Sequence, residues 1–293
     1  MPKNASINKV VIIGAGPATT GQGAETDYSG TQACKALKEL GINVVVVSSN
    51  PSAAMTDAGV ADAAYILPLN AKSIEKIIVK EKPDAILSNA GGQTALNICA
   101  ELGGRGIFKK HGVQLIGADL YAIACTQDKN EFKKAMARLN IDILKSDTAY
   151  KADDAVHIAE RLGYPVAVRP AYSTGGEGGG IAYNVEELRA LAGRAISASP
   201  IGQILVEQAV LGWQELELEI IRDSKSSIIA VCGIENIDGM GIHNGDSLCC
   251  APMLAVEQGV RARMEKTARK IADELKITGI ANIQFAYDKA SDY

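Results

Sequence analysis

Aromatic residues make up only 4% of this 293-residue sequence, and it holds a single tryptophan and three histidines. Nowhere do lysines and arginines cluster among aromatics, and the net charge of −4 with a pI near 5.5 leaves no basic field for a phosphate backbone. A nucleic-acid partner is therefore not expected. No apolar run approaches the roughly 20 residues that span a bilayer. The first residues, Met1 to Ser6, lack a basic region followed by an apolar core. The expectation is a cytoplasmic protein without a membrane partner. Six cysteines occur without any CxxC spacing, and His111, His157 and His243 stand too far apart for a local zinc motif. Cys34, Cys99, Cys125, Cys232, Cys249 and Cys250 read as buried thiols of a reducing compartment.

What is present is an ordinary globular composition, 47% hydrophobic and 22% charged, in a chain long enough for about two domains. Strand-like apolar runs at Val10 to Gly14, Ile42 to Val47, Tyr65 to Leu67, Ala85 to Leu87 and Val113 to Gly117 alternate with helical periodicity, as at Ala33, Leu37 and Leu40. Strands that are apolar throughout, alternating with helices, imply a parallel sheet covered on both faces. Residues 1–127 are expected to form this Rossmann-like domain. Past Asp128 helices are expected over Glu131 to Leu139 and around Ala155 to Leu162, followed by strands in close succession. Asp223 to Ser226 reads as a hairpin turn, a helix is expected over Val256 to Leu275, and a last strand runs through Ile283 to Tyr287. Residues 128–293 are thus expected to be α+β with antiparallel pairing, and the whole chain α/β.

Two glycine-rich segments carry the chemistry. Gly14-Ala15-Gly16 follows a strand, but Thr19 stands where a dinucleotide fingerprint has its third glycine. The second strand ends in Ser48-Ser49-Asn50 instead of an acid for a ribose. A structural turn is the better reading. The second segment, YPVAVRPAYSTGGEGGGIAYN from Tyr164, places Gly175, Gly176, Gly178, Gly179 and Gly180 between two strands. Such a loop can present its N–H groups to phosphate, with Arg169 adding fixed positive charge. Asn184 and Glu187 fit a helix capping box just downstream.

The segment YPVAVRPAYSTGGEG resembles the first ATP-grasp signature of the carbamoyl phosphate synthetase large subunit. Gly14-Ala15-Gly16-Pro17, Asp27-Tyr28-Ser29-Gly30, Ser49-Asn50-Pro51, Gly91 to Asn97, Gly212-Trp213, Met240 to His243 and Gly245-Asp246-Ser247 resemble its N-terminal half, end to end. The resemblance implies a preATP-grasp domain followed by an incomplete ATP-grasp domain. It also implies a ligase in which bicarbonate attacks the γ-phosphate of ATP to give carboxyphosphate, which ammonia converts to carbamate. Ammonia would come from a glutaminase small subunit, the remainder of the large subunit would complete the reaction, and Mg²⁺ (or Mn²⁺) would accompany the ATP. The product would serve arginine or pyrimidine biosynthesis.

Carried onto matching positions, the ATP contacts implied are Lys129, Arg169, Gly175, Gly176, Gln208, Val210, Glu215, Gly241, Ile242, His243 and Gln284. Arg169 would be catalytic as a phosphate-side cation, and Gln284 the metal ligand. From the residues alone, Glu215, Glu217 and Glu219 alternate with Leu216, Leu218 and Ile220 and read as a solvated strand face. By the same reading His243 is a turn residue and Gln284 satisfies a buried backbone group. The sequence departs from the family in Lys129 for arginine, Gln208 for glutamate and Glu177 for a small hydroxyl residue. It also ends at Tyr293 before a Glu-x-Asn-Pro magnesium motif. These departures lead to the expectation of a fragment or degenerate copy that catalyses little phosphoryl transfer by itself, or of a non-catalytic nucleotide-binding or subunit-docking remnant.

Overall fold

The computed structural model describes residues 4–14, 23–171, 178–240 and 247–293, leaving aside the side chains of residues 23–25, 127 and 129. By compactness the chain divides into two units. The first holds Met1–Ala135, Leu218–Gly233 and Val256–Ile283, and the second Met136–Glu217, Ile234–Ala255 and Gln284–Tyr293.

In the first unit β1 (Lys9–Ile13), β2 (Asn43–Ser48), β3 (Ala63–Ile66), β4 (Ala85–Leu87) and β5 (Gln114–Ile116) form a parallel sheet in the order β3-β2-β1-β4-β5. Successive residues of β1 and β2 go to opposite faces, and both faces are dry. Val11, Ile13, Val45, Val47 and Ile86 pack with residues of α2 (Ala71–Glu81), α3 (Gly92–Gly104) and α4 (Ile107–His111). Val10, Ile12, Val44 and Val46 pack on the other side with Cys34 of α1 (Gly23–Glu39) and Met55 of a single 3₁₀ turn. Continuous β-branched runs are what two-sided burial requires.

Several residues that carried the family resemblance hold this unit together. The Asp27 carboxylate accepts the N–H groups of Ala54 at 2.7 Å and Met55 at 3.1 Å, so it caps the 3₁₀ turn. A Cβ at Gly30 would lie 1.7 Å from Met55 Cε, and one at Gly91 would lie 2.3 Å from the Gly14 carbonyl oxygen. The sheet's order reverses between β1 and β4, the place where α/β sheets usually open a ligand crevice. Here Gly91 rests on the carboxyl end of β1. That contact gives Gly14 and Gly91 a packing reason, while residues 15–22 lie outside the described residues.

The unit continues through α5 (Leu120–Gln127), capped by the Asp119 carboxylate on Ala122 N–H at 2.7 Å, into α6 (Lys129–Arg138). The second unit is built on β6 (Ser146–Ala149), β7 (Val166–Pro170), β8 (Gly180–Ala182) and β9 (Ile204–Gln208), in the order β6-β9-β7-β8 with antiparallel neighbours. α7 (Ala152–Leu162) and α8 (Val185–Ala198) cover one face. Leu188 and Leu191 of α8 are buried there with Val166, Val168, Ile204 and Val206, each leucine contributing about 1.5–3 kcal/mol. The expected capping box forms: the side-chain amide oxygen of Asn184 accepts Glu187 N–H at 2.9 Å, and the Glu187 carboxylate accepts Tyr183 N–H at 2.9 Å.

A third sheet has the order β12-β11-β10-β13, from β10 (Gln214–Arg222), β11 (Ile228–Asn236), β12 (Cys249–Cys250) and β13 (Gly279–Tyr287), with α9 (Gln258–Glu274) before the last strand. The hairpin expected at Asp223 to Ser226 is present, its Asp223 carboxylate accepting the N–H groups of Lys225 and Ser227, both at 2.8 Å. Arg222 is buried beside it and donates to Asp273 of α9, to the Ile277 carbonyl and to Ser226. Among the described residues no helix is long and apolar enough to cross a membrane. The cysteines depart from uniform burial: Cys34, Cys99 and Cys125 are buried, Cys232 and Cys250 partly so, and Cys249 on the short strand β12 is exposed.

Candidate functional site

Arg169 sits one residue from the end of β7. In the antiparallel register Ala167 lies opposite Glu207 and Arg169 opposite Leu205, so these four side chains share one face of the sheet. The intervening Val166, Val168, Ile204 and Val206 point the other way, into the core under α7 and α8. Arg169 thus stands on the face those helices leave open, with a 61% exposed side chain whose Nε lies 2.5 Å from Glu207 Oε1. The Glu207 side chain is only 10% exposed. Oε1 accepts no aligned hydrogen bond among the described residues, so the contact is an ion pair.

Gln208 follows on β9 and alternates to the opposite side, where it pairs with Val166 and shares the face of Val206. The parity of the strand puts Gln208 on the helix-covered face and Glu207 on the open one. The acid next to Arg169 is therefore Glu207, which the resemblance did not single out. The sequence carries no signal for this choice, because it depends on the register between β7 and β9.

β9 leads into a tight turn. Val210 is buried, its carbonyl accepts Trp213 N–H at 3.2 Å, and Gly212 takes φ +81°, a conformation that favours glycine. The Trp213 ring meets Tyr293 edge-on at 5.8 Å between centroids. β10 then begins, and its acidic row departs from the solvated face that alternation implied. Glu215 is 8% and Glu217 5% exposed, and Glu219 is half-buried. Buried carboxylates need partners: the Asn236 amide donates to Glu217 at 3.3 Å and the Asn282 amide to Glu219 at 2.7 Å. Gln284 on β13 is exposed, so it does not satisfy a buried backbone group; it shares the side of its strand with Asn282.

Arg169, Gln208, Val210, Glu215 and Gln284 all belong to the second compact unit, whereas Lys129 opens α6 in the first. The side chain of Lys129, and Gly175, Gly176, Glu177, Gly241, Ile242 and His243, lie outside what is described. The described limb of the glycine segment is pressed onto α8: a Cβ at Gly178, φ +80°, would meet Ala198 Cβ at 2.7 Å. Among the described residues no group of three or more His, Cys, Asp or Glu side chains is placed to hold a metal ion. Gln284 offers one neutral oxygen, and these residues do not by themselves make a magnesium site.

Residues 6–125 match the carbamoyl phosphate synthase preATP-grasp domain, and residues 128–293 match the carbamoyl-phosphate synthase L chain, ATP binding domain. The carbamoyl phosphate synthase large chain of Archaeoglobus fulgidus is 50% identical over 287 residues, covering 98% of this chain and 27% of the relative. That of Thermotoga sp. strain RQ2 is 49% identical over 289 residues, covering 98% of this chain and 26% of the relative. The chain thus spans about a quarter of the length of these curated relatives. Among solved structures, the biotin carboxylase domain of Hydrogenobacter thermophilus 2-oxoglutarate carboxylase, in complex with MgADP, ADP and bicarbonate, superposes with a TM-score of 0.77. It is 22% identical, over 97% of this chain and 62% of that one. Campylobacter jejuni biotin carboxylase, solved with a β,γ-ATP complex, gives 0.74 at 22% identity over 98% of this chain and 64% of that one. These likenesses fix the α/β fold of biotin carboxylase type, and the two domain matches together with half-identity along nearly every residue place the chain in the carbamoyl phosphate synthase large-chain family.

Proposed function

We propose that this chain is the carboxyphosphate-forming portion of an ATP-dependent ligase, which phosphorylates bicarbonate so that ammonia from a glutaminase subunit yields carbamate. The observation that carries the reading is Arg169, a cation with a 61% exposed side chain at the end of β7, on the one face of its sheet that α7 and α8 leave uncovered. Phosphoryl transfer asks a protein for positioning and charge neutralisation more than for covalent chemistry. Arg169 meets that need at the phosphates. The buried Glu215 carboxylate is proposed as acceptor for ribose hydroxyls, and the backbone around Val210 as the reader of adenine. Lys129, Gly175, Gly176, Gly241, Ile242 and His243 complete the proposed contacts by their positions in the family motifs, with Gln208 the least supported because its strand parity turns it toward the helices.

Mg²⁺ would accompany the nucleotide and offset phosphate charge, and among the described residues Gln284 is the one ligand proposed for it. The sparse metal donors among the described residues favour one second reading, nucleotide binding without phosphoryl transfer. A chimera separates the two, with this chain replacing the corresponding residues of the Archaeoglobus fulgidus large chain. ATP hydrolysis in the chimera should require bicarbonate and fall at least about tenfold in Arg169→Ala, the order expected for one charge-assisted contact. Hydrolysis indifferent to bicarbonate would overturn the ligase reading, and ATP binding without turnover would establish the second.

A further inference from the structure

Glu207 has no role in the site as the sequence defines it, yet its surroundings are those of a working group. It lies opposite Ala167 in the β7–β9 register, on the open face of the sheet, diagonal to Arg169. Its side chain is 10% exposed and its Oε1 stands 2.5 Å from Arg169 Nε. A carboxylate that dry is costly unless a cation neutralises it, and no other ion pair of Glu207 or Arg169 occurs among the described residues. The guanidinium is planar, with five N–H donors in a fixed fork. The Glu207 contact is made at Nε, as an ion pair, while the two terminal nitrogens form the edge that grips phosphate oxygens in pairs.

We propose that Glu207 is a positioning residue that holds Arg169 by its Nε flank and so presents the two terminal nitrogens to the phosphate chain of a nucleotide. The inference rests on the reading of this face as a nucleotide site. It deepens that reading by naming the group that orients the phosphate-side cation. Neutral Gln208 cannot take this part, since it belongs to the other face of the strand.

The test is calorimetric titration of ATP and of adenosine, which lacks phosphates, into the intact chain and its Glu207→Gln, Glu207→Asp, Arg169→Gln and doubly substituted forms. Glu207→Gln keeps the side-chain volume. It should weaken ATP binding about tenfold and leave adenosine affinity unchanged. Glu207→Asp should recover part of the loss. In the Arg169→Gln background the substitution at 207 should have no further effect on ATP. ATP affinity that stays the same or rises in Glu207→Gln would overturn the proposal, a rise meaning that the carboxylate competes with phosphate for the arginine. Parallel loss of adenosine would also overturn it, by showing a structural role. If the unsubstituted chain binds no ATP, the nucleotide reading itself fails and takes this proposal with it, which sets that failure apart from the others.

Discussion

Gly91 and Gly30 both sit where a side chain would collide, but against different neighbours. At Gly91 an added Cβ meets the main-chain oxygens of Gly14 at 2.3 Å and Ile13 at 2.4 Å, whereas at Gly30 it meets the mobile end of the Met55 side chain. Main chain inside a sheet cannot step aside, and a thioether tip can. Urea unfolding should therefore show Gly91→Ala destabilised by roughly 3 kcal/mol or more and Gly30→Ala by about 1 kcal/mol, at either end of the range for overpacked cores. Equal losses would mean that the carboxyl end of β1 yields more readily than its packing implies. The same scale explains why Arg169 was legible in the sequence and Glu207 was not. An arginine ending an apolar strand beside a glycine-rich segment stands out by itself. The pairing of Ala167 with Glu207 exists only once β7 and β9 have found their register.

Among the secondary elements, those that alternate cleanly or carry caps were read close to their true bounds. β7 lies where a strand is expected just ahead of the glycine-rich segment, and α8 starts where Asn184 and Glu187 close its first turn. Replacing Asn184 by Ala should cost about 1 kcal/mol, typical for an N-cap, and lower the melting temperature by about 2–4 °C on a calorimetric scan. An unchanged midpoint would show that Glu187 alone secures the turn. Elements with weak apolar contrast were missed or cut short. α1 begins at Gly23, well before the apolar spacing that starts at Ala33, because its first turns are held by Asp27 bonding across to the 3₁₀ turn. β6 reads Ser146 to Ala149, with no periodicity to mark it. β13 was assigned only its apolar end from Ile283, since Ile280, Asn282 and Gln284 stay exposed along one side of the strand. The acidic row of β10 failed differently: alternation gave the faces correctly and the burial wrongly, because Asn236 and Asn282, both distant in sequence, supply the partners that let carboxylates leave water.

For the whole molecule, the thiols provide a reporter of folding. Burial pushes Cys99 up to about 12 and Cys34 up to about 11, from an ordinary value of 9.0. The unfolded chain therefore loses these protons first as the solution turns alkaline, so folding stability holds below pH 9 and declines from there toward the folded values. Denaturation midpoints measured from neutral pH upward should fall beyond that point, and less so in Cys99→Ala. Iodoacetamide at neutral pH should label the exposed Cys249 first and spare Cys34 and Cys99 until the chain unfolds. Early labelling of Cys99 would contradict the dry core around it.

The five-stranded parallel sheet has its earliest strand in the middle. Val10 to Ile12 need Val44 to Val46 on one flank and Ala85 to Leu87 on the other. A ribosome delivering this protein thus holds an unsheltered apolar ribbon until the fourth strand has emerged. Over that interval β1 is the segment with most to gain from a chaperone.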